Sequence, residues 1–128
     1  MTIGDCSSHS YLAVSPRDAR QFVRRALEEF DRVDLVDDAE LLVSEVVTNA
    51  VLHGGGAFAP VSVERTYGGV RIEVVDPGQV FPPTPAEIDP TTPGGLGLGI
   101  VETISTRWGV TPTDHGKVVW FELTAYPD

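Results

Sequence analysis

Apolar residues recur at two different spacings along the chain. Helical spacing predicts three helices, over about 16–30, 37–53 and 98–109. The first opens with Ser15-Pro16, an N-cap followed by proline at the first helical position. The second has Asp37 or Asp38 as its cap and ends at the glycines 54–56. These boundaries leave the remaining apolar segments for strands.

Alternation of apolar and polar residues predicts strands over 10–14, 60–67, 69–76 and 118–126. A Gly68-Gly69 turn should join the two middle strands into an antiparallel hairpin. Residues 77–97 are rich in proline and glycine and are expected to form a loop. Two or three helices against one mostly antiparallel sheet make a two-layer α+β domain. With 128 residues we expect one domain, 1–128, with residues 1–9 as a flexible tail.

Composition narrows the classes of function. The formal net charge is −10, and nine Lys and Arg residues are too few for a phosphate-binding surface, so we expect no nucleic-acid partner. No apolar segment approaches the roughly 20 residues that span a bilayer, and the N-terminus does not resemble a signal peptide. We therefore expect a cytoplasmic protein that does not bind membranes. Its lone Cys6 excludes an internal disulfide.

The second predicted helix carries a line of polar residues in an apolar segment. At about 100° per residue, Glu45, Asn49 and His53 fall within an arc of about 80°. One interpretation is an exposed stripe with hydrogen bonds between successive turns. The alternative is a site, because carboxylate and amide oxygens suit Mg²⁺ that keeps several waters and takes phosphate as a co-ligand. Spacing alone does not decide between them.

Two further segments have a chemical and a structural interpretation. Four glycines within residues 94–99 stand immediately before the predicted third helix, where backbone N–H groups can bind an anion. The segment fits neither a Walker loop nor a dinucleotide-binding fingerprint, and a plain hinge is the alternative. Asp76 ends a strand before Pro77-Gly78. In one interpretation Asp76 is a turn former. In the other, its carboxylate accepts a hydrogen bond from the amino group of adenine and would repel the carbonyl of guanine.

In this order, the segments resemble the nucleotide-binding motifs of the superfamily named for gyrase, heat-shock chaperone, histidine kinase and mismatch-repair ATPases. The resemblance is nearest to its anti-sigma-factor serine/threonine kinases and spans about residues 12–124. It rests on ELLVSEVVTNAVLHGG (40–55), EVVDPGQV (73–80), GGLGLGIVETISTRWGV (94–110) and GKVVWFEL (116–123). It implies the Bergerat-type ATP-binding fold, a two-layer α/β sandwich with helices on one face of a mixed, mostly antiparallel sheet.

The resemblance also implies roles for individual residues. Glu45 would be the general base, Asn49 would hold Mg²⁺ on the ATP phosphates, and His53 would lie near the phosphates. Asp76 would read adenine, with Gly78 leaving space for the base, and residues 79–93 would form the ATP lid. The backbone at the glycine-rich segment would bind the phosphates, through Gly95, Leu96, Gly97, Leu98 and Gly99. Cofactors would be ATP and Mg²⁺.

The partners implied by the resemblance are an anti-sigma antagonist, as the phosphorylated substrate, and a sigma factor. A homodimer is possible within such a family. Two departures from the family pattern stand out, since Val80 replaces a common glycine and Val118 replaces a threonine expected near the adenine. They keep open an alternative in which the protein is a non-catalytic ATP-sensing interaction module. No helical segment with a phosphoacceptor histidine precedes the domain, which disfavours a histidine kinase.

Overall fold

The computed structural model describes residues 8–53, 58–76, 95–114 and 116–124. Five strands and three α-helices follow one another along the chain, and short 3₁₀ and π turns flank the second helix. In order, they are β1 Ser8–Ala13, α1 Pro16–Glu29, the 3₁₀ turn Val33–Leu35, α2 Val36–Thr48, the π turn Asn49–His53, β2 Ala59–Thr66, β3 Gly69–Asp76, α3 Gly95–Ile104, β4 Arg107–Thr113 and β5 Gly116–Thr124.

The strands form one sheet in the order β1-β2-β3-β5-β4. Every neighbouring pair is antiparallel. The helices pack on one face of this sheet, which confirms the predicted two-layer α+β sandwich. The expected mixture of parallel and antiparallel pairs is replaced by an entirely antiparallel arrangement in the described strands. None of the helices in these ranges is long and apolar enough to cross a membrane.

The core lies between the helices and the sheet. Alternate residues of β3 and β5 face it, and Ile72 and Phe121, which are direct partners in the two strands, are both fully buried. From the helical side, the buried residues of α2 include Leu42, Val43 and Val47. Burial of aliphatic and aromatic side chains at this density is the main stabilising contribution in a domain of this size.

The predicted start of α1 is confirmed, whereas that of α2 is wrong in detail. Ser15 Oγ accepts a hydrogen bond from the Asp18 N–H at 3.1 Å, and Pro16 is the first helical residue. α2 begins at Val36 behind the 3₁₀ turn, and no side chain caps it. Asp37 and Asp38 therefore lie within its first turn, where negative charge interacts favourably with the helix dipole.

The hairpin turn lies one residue earlier than predicted. Thr66 and Gly69 are paired, so Tyr67 and Gly68 form the two-residue turn. Gly68 adopts φ 85°, a conformation that side-chain-bearing residues rarely adopt. Gly69 belongs to β3, where an added Cβ would collide with the backbone carbonyl of Leu123 on β5.

Further predicted boundaries are wrong, at both ends of the chain and in the third helix. Residues 98–109 do not form one helix: α3 ends at Ile104, and Arg107–Thr113 is the edge strand β4. In this strand Trp108 and Val110 face the core at a spacing of two, and pairing with β5 outweighs the local helical pattern. Ser8 and His9, assigned to the flexible tail, are the first residues of β1. The closing strand, predicted over 118–126, begins at Gly116 and is described through Thr124, and residues 125–126 lie outside the described part.

Candidate functional site

The end of α2 carries Glu45 and Asn49, one helical turn apart. Both residues are half-buried, and their neighbours Val46, Val47 and Ala50 are buried in the core. The backbone N–H of Asn49 donates to the carbonyls of Glu45 and Val46. The two polar side chains therefore lie at the border of the core, not on a fully exposed stripe.

Hydrogen bonds fix this part of α2 against its neighbours. Arg20 of α1 donates from Nη1 to Ser44 Oγ at 2.9 Å, immediately before Glu45. Thr48 Oγ1 donates to the Ser44 carbonyl at 2.7 Å, immediately before Asn49. The first bond joins this part of α2 to α1, and the second lies within α2 between residues adjacent to Glu45 and Asn49.

A π turn continues α2 over Asn49–His53. Single π turns at helix ends or within helices are uncommon and occur frequently at functional sites. The α-helical spacing used to place His53 on the line with Asn49 does not hold through this turn. The structure describes the backbone of His53 within the turn, and its side chain lies outside the described part.

Asp76 is buried at the end of β3 and forms an ion pair that the sequence did not reveal. Lys117 of β5 is its direct strand partner, and Lys117 Nζ donates to Asp76 Oδ2 at 2.9 Å. Asp76 is 4% exposed and Lys117 8% exposed. Among the residues that the structure describes, they are the two buried charged residues.

The strand register corrects the residue expected to stand near Asp76. Val118 pairs with Val75, and alternate residues of a strand point to opposite faces, so Val118 lies on the face away from Asp76. The position that faces Asp76 is Lys117. The group beside the Asp76 carboxylate is therefore the Lys117 ammonium, and the side chain of Val118 is on the other face of the sheet.

A signal for Lys117 was present in the sequence. In GKVVWFEL, Lys117 is on the same face of the strand as Val119, Phe121 and Leu123, because residues two apart share a face. All three of these apolar residues are buried. Alternation along the strand could therefore have placed the lysine on the core face. Its pairing with Asp76 depends on the register between β3 and β5, which are distant in the chain, and a single sequence does not specify that register.

The glycine-rich segment forms the beginning of α3, not a loop before it. The helix begins at Gly95, so Gly95, Leu96 and Gly97 lie in its first turn, with Leu98 and Gly99 following. Backbone N–H groups in the first turn of a helix have no partner within the helix and suit an anion. The assignment of the five residues to phosphate binding remains a prediction.

α2 contacts the other two elements that carry predicted site residues. α2 packs against both β3 and α3, and the π turn after α2 packs against β3. Glu45, Asn49 and Asp76 are therefore carried by elements in direct contact. Gly78, Val80 and the predicted lid 79–93 lie outside the described residues.

The groups on these elements suit a magnesium-bound nucleotide. Asn49 and Glu45 carry hard oxygen atoms on α2, and the first turn of α3, a helix that packs against α2, has N–H groups suited to phosphate. Within the described ranges, no group of three His, Cys, Asp or Glu side chains could hold a metal ion. A magnesium ion here would take most of its ligands from phosphate and water.

One comparison with known proteins identifies a family. The family model described as the histidine kinase-like ATPase domain matches residues 12–123. The matched range contains every segment on which the resemblance was based. A search among curated proteins found no match to the chain.

Proposed function

The chain belongs to the histidine kinase-like ATPase family, and we propose that it is an ATP- and Mg²⁺-dependent protein-serine/threonine kinase. The family membership confirms the resemblance to the superfamily that was seen in the sequence. The substrate of the kinase would be an anti-sigma antagonist. Phosphorylation of that antagonist would decide whether the protein is bound to it or to a sigma factor, and so would regulate transcription by partner switching.

The observation that carries this proposal is the position of Glu45. It is one turn before Asn49 on α2, half-buried, and on the element that packs against both β3 and α3. A binding site needs only the amide, the buried Asp76 and the helix N-terminus. A carboxylate at the phosphate end of the site supports chemistry as well, because phosphoryl transfer uses a base to accept the proton of the attacking hydroxyl.

In the proposed reaction, Glu45 accepts the proton of a substrate serine or threonine hydroxyl. The hydroxyl oxygen forms a bond to the γ-phosphorus as the bond between that phosphorus and the ADP oxygen breaks. Asn49 would hold Mg²⁺, which would neutralise phosphate charge when bound. The first turn of α3 would orient the phosphates, and Asp76 would position the base.

The test is phosphoryl transfer from labelled ATP to candidate antagonist proteins, using wild type and Glu45→Ala. We expect the variant to bind ATP as wild type does and to lose transfer by about 100-fold or more. Glu40→Ala is the matched control. Glu40 lies on the same helix but is paired with Arg24 at the surface at 2.7 Å, so its removal should leave transfer unchanged. Normal transfer by Glu45→Ala would remove Glu45 from the role of base.

A second candidate function is a non-catalytic ATP-sensing interaction module. The hydrogen bond from Lys117 to Asp76 favours it, because the ammonium competes with a nucleotide base for the carboxylate. Weakened binding would suit a protein that responds to changes in ATP concentration. ATP binding by wild type without transfer to any antagonist protein would support this candidate, and efficient transfer would exclude it.

A further inference from the structure

The ion pair between Lys117 and Asp76 is the feature that the proposed function does not explain. Its atoms are 2.9 Å apart, and both side chains are at least nine-tenths buried. Burial of two charges costs more desolvation free energy than their attraction commonly returns, and an apolar pair of similar volume is often no less stable. Stability alone is therefore a poor reason for this pair in the core.

The pair also changes what the end of β3 offers to a ligand. A carboxylate is only an acceptor, so Asp76 alone selects a base edge that donates, such as the amino group of adenine. An ammonium carries three donors, and Asp76 Oδ2 takes one of them. The N–H donors of Lys117 therefore lie at hydrogen-bond distance from the acceptor oxygen of Asp76.

A 6-oxopurine presents the complementary arrangement. Its carbonyl oxygen at position 6 accepts, and its neighbouring N1–H donates. Against a lone carboxylate the carbonyl oxygen would be repelled and left without a partner, which is how sites built for one hydrogen-bond pattern reject the other. Against Asp76 and Lys117 together, both groups of the base edge find a partner.

We propose that Lys117 determines the base specificity of the proposed nucleotide site. With Lys117 beside Asp76, the site accepts 6-oxopurine nucleotides as well as adenine nucleotides. In this arrangement Lys117 Nζ donates to the base carbonyl and Asp76 accepts from N1–H. With adenine, Asp76 accepts from the amino group. The inference rests on the proposed nucleotide site and replaces the expectation that Asp76 excludes bases with a carbonyl at this position.

The test compares ADP and IDP, which share their ribose and phosphates and differ only at the base edge. Calorimetric titration of the full chain with each nucleotide gives the ratio of the two affinities. For wild type we expect affinities within roughly tenfold of each other, because Asp76 accepts a hydrogen bond from either base and Lys117 Nζ offers a donor to the carbonyl of IDP. In Lys117→Met the IDP affinity should fall by roughly tenfold or more relative to that of ADP, which is the usual effect of losing a hydrogen bond to a charged group.

Lys117→Arg is the matched control, because it keeps a cationic donor, and its ratio should stay close to that of wild type. Lys117→Thr serves as a second variant. It removes the charge but leaves a hydroxyl for Asp76, and it should show the same loss of IDP as Lys117→Met if the latter does not fold. Circular dichroism verifies folding of each variant.

Three results would overturn the inference. One is wild-type protein that binds ADP but rejects IDP, which needs no variant to observe. Another is an affinity for each nucleotide that stays at the wild-type value in both Lys117→Met and Lys117→Thr. The third is an equal loss of affinity for ADP and IDP in folded variants. That result would mean that Lys117 positions Asp76 and does not contact the base. Failure of wild type to bind any nucleotide would instead contradict the proposed function, and this inference with it.

Discussion

The two faces of the β3–β5 strand pair hold charges in opposite surroundings. On the outer face, Arg71 donates to Glu73 at 2.9 Å and to Glu122 at 3.1 Å, and its guanidinium lies 4.1 Å from the ring centroid of Trp120. We call these four residues the outer-face cluster. On the helix-facing side, the Lys117–Asp76 pair is buried.

This comparison shows that the charges of the outer-face cluster have an ordinary structural explanation, whereas the buried Lys117–Asp76 pair does not. Partly exposed ion pairs cost little to form and add little to stability, so the outer-face cluster is an ordinary way to cover a sheet surface. The buried pair carries a desolvation cost, and it lies beside the elements that hold Glu45 and Asn49. Its location associates it with the proposed nucleotide site.

The largest effect should come from breaking the buried pair. Lys117→Met removes the cation from a buried carboxylate and should lower the free energy of unfolding by about 3 kcal/mol. Urea unfolding measures the change. The double variant Asp76→Asn/Lys117→Met has no buried charge at these positions and should recover most of the loss. A double variant as unstable as Lys117→Met would show that packing of the lysine, and not the charge, is responsible.

A smaller effect is expected where the outer-face cluster meets β4. Gly109 is the direct strand partner of Trp120, and an added Cβ would lie 2.7 Å from the indole ring. Gly109→Ala should therefore cost about 2 kcal/mol, because the ring and its stacked Arg71 must move. Thr111→Ala, on an exposed residue of the same strand, is the control. Stability equal to wild type in Gly109→Ala would mean that the indole is not held against β4.

The smallest effect should come from the outer-face ion pairs. Glu122 accepts from Arg71 and lies 3.7 Å from Arg107, so Glu122→Gln weakens two ion pairs at once. The loss should still be about 1 kcal/mol or less and should shrink in high salt. ADP affinity should not change. A loss as large as that of Lys117→Met would abolish the distinction between the two faces.

The sequence predicted the parts of the fold that depend on local pattern. α1 and the β2–β3 hairpin were predicted within a residue or two, because the Ser15-Pro16 cap and the turn glycine agree with the periodicity. For α2 only the periodicity agrees, since its predicted cap and the predicted end of its α-helical part were wrong. β4 was missed because the apolar residues of 98–109 also fit a helix, and its strand state depends on pairing with β5. Strand pairing of this kind is tertiary information that overrides local propensity.

The candidate site was predicted as a set of residues but not as an arrangement. Asn49 and Glu45 share a helix, so their proximity could be inferred from spacing. The partner of Asp76 could not, because the pairing of Asp76 with Lys117 follows from strand register. The π turn at Asn49–His53 was also beyond prediction, because an α-helical pattern continues through it.

We propose above that the elements α2, β3 and α3 bind ATP with Mg²⁺. Calorimetric titration of the full chain with ATP, with and without Mg²⁺, tests this for wild type, Asn49→Ala and the outer-face control Glu122→Gln. We expect magnesium-dependent binding that is weakened in Asn49→Ala and unchanged in Glu122→Gln. No binding at millimolar ATP, or binding equally strong in Asn49→Ala with and without Mg²⁺, would contradict it.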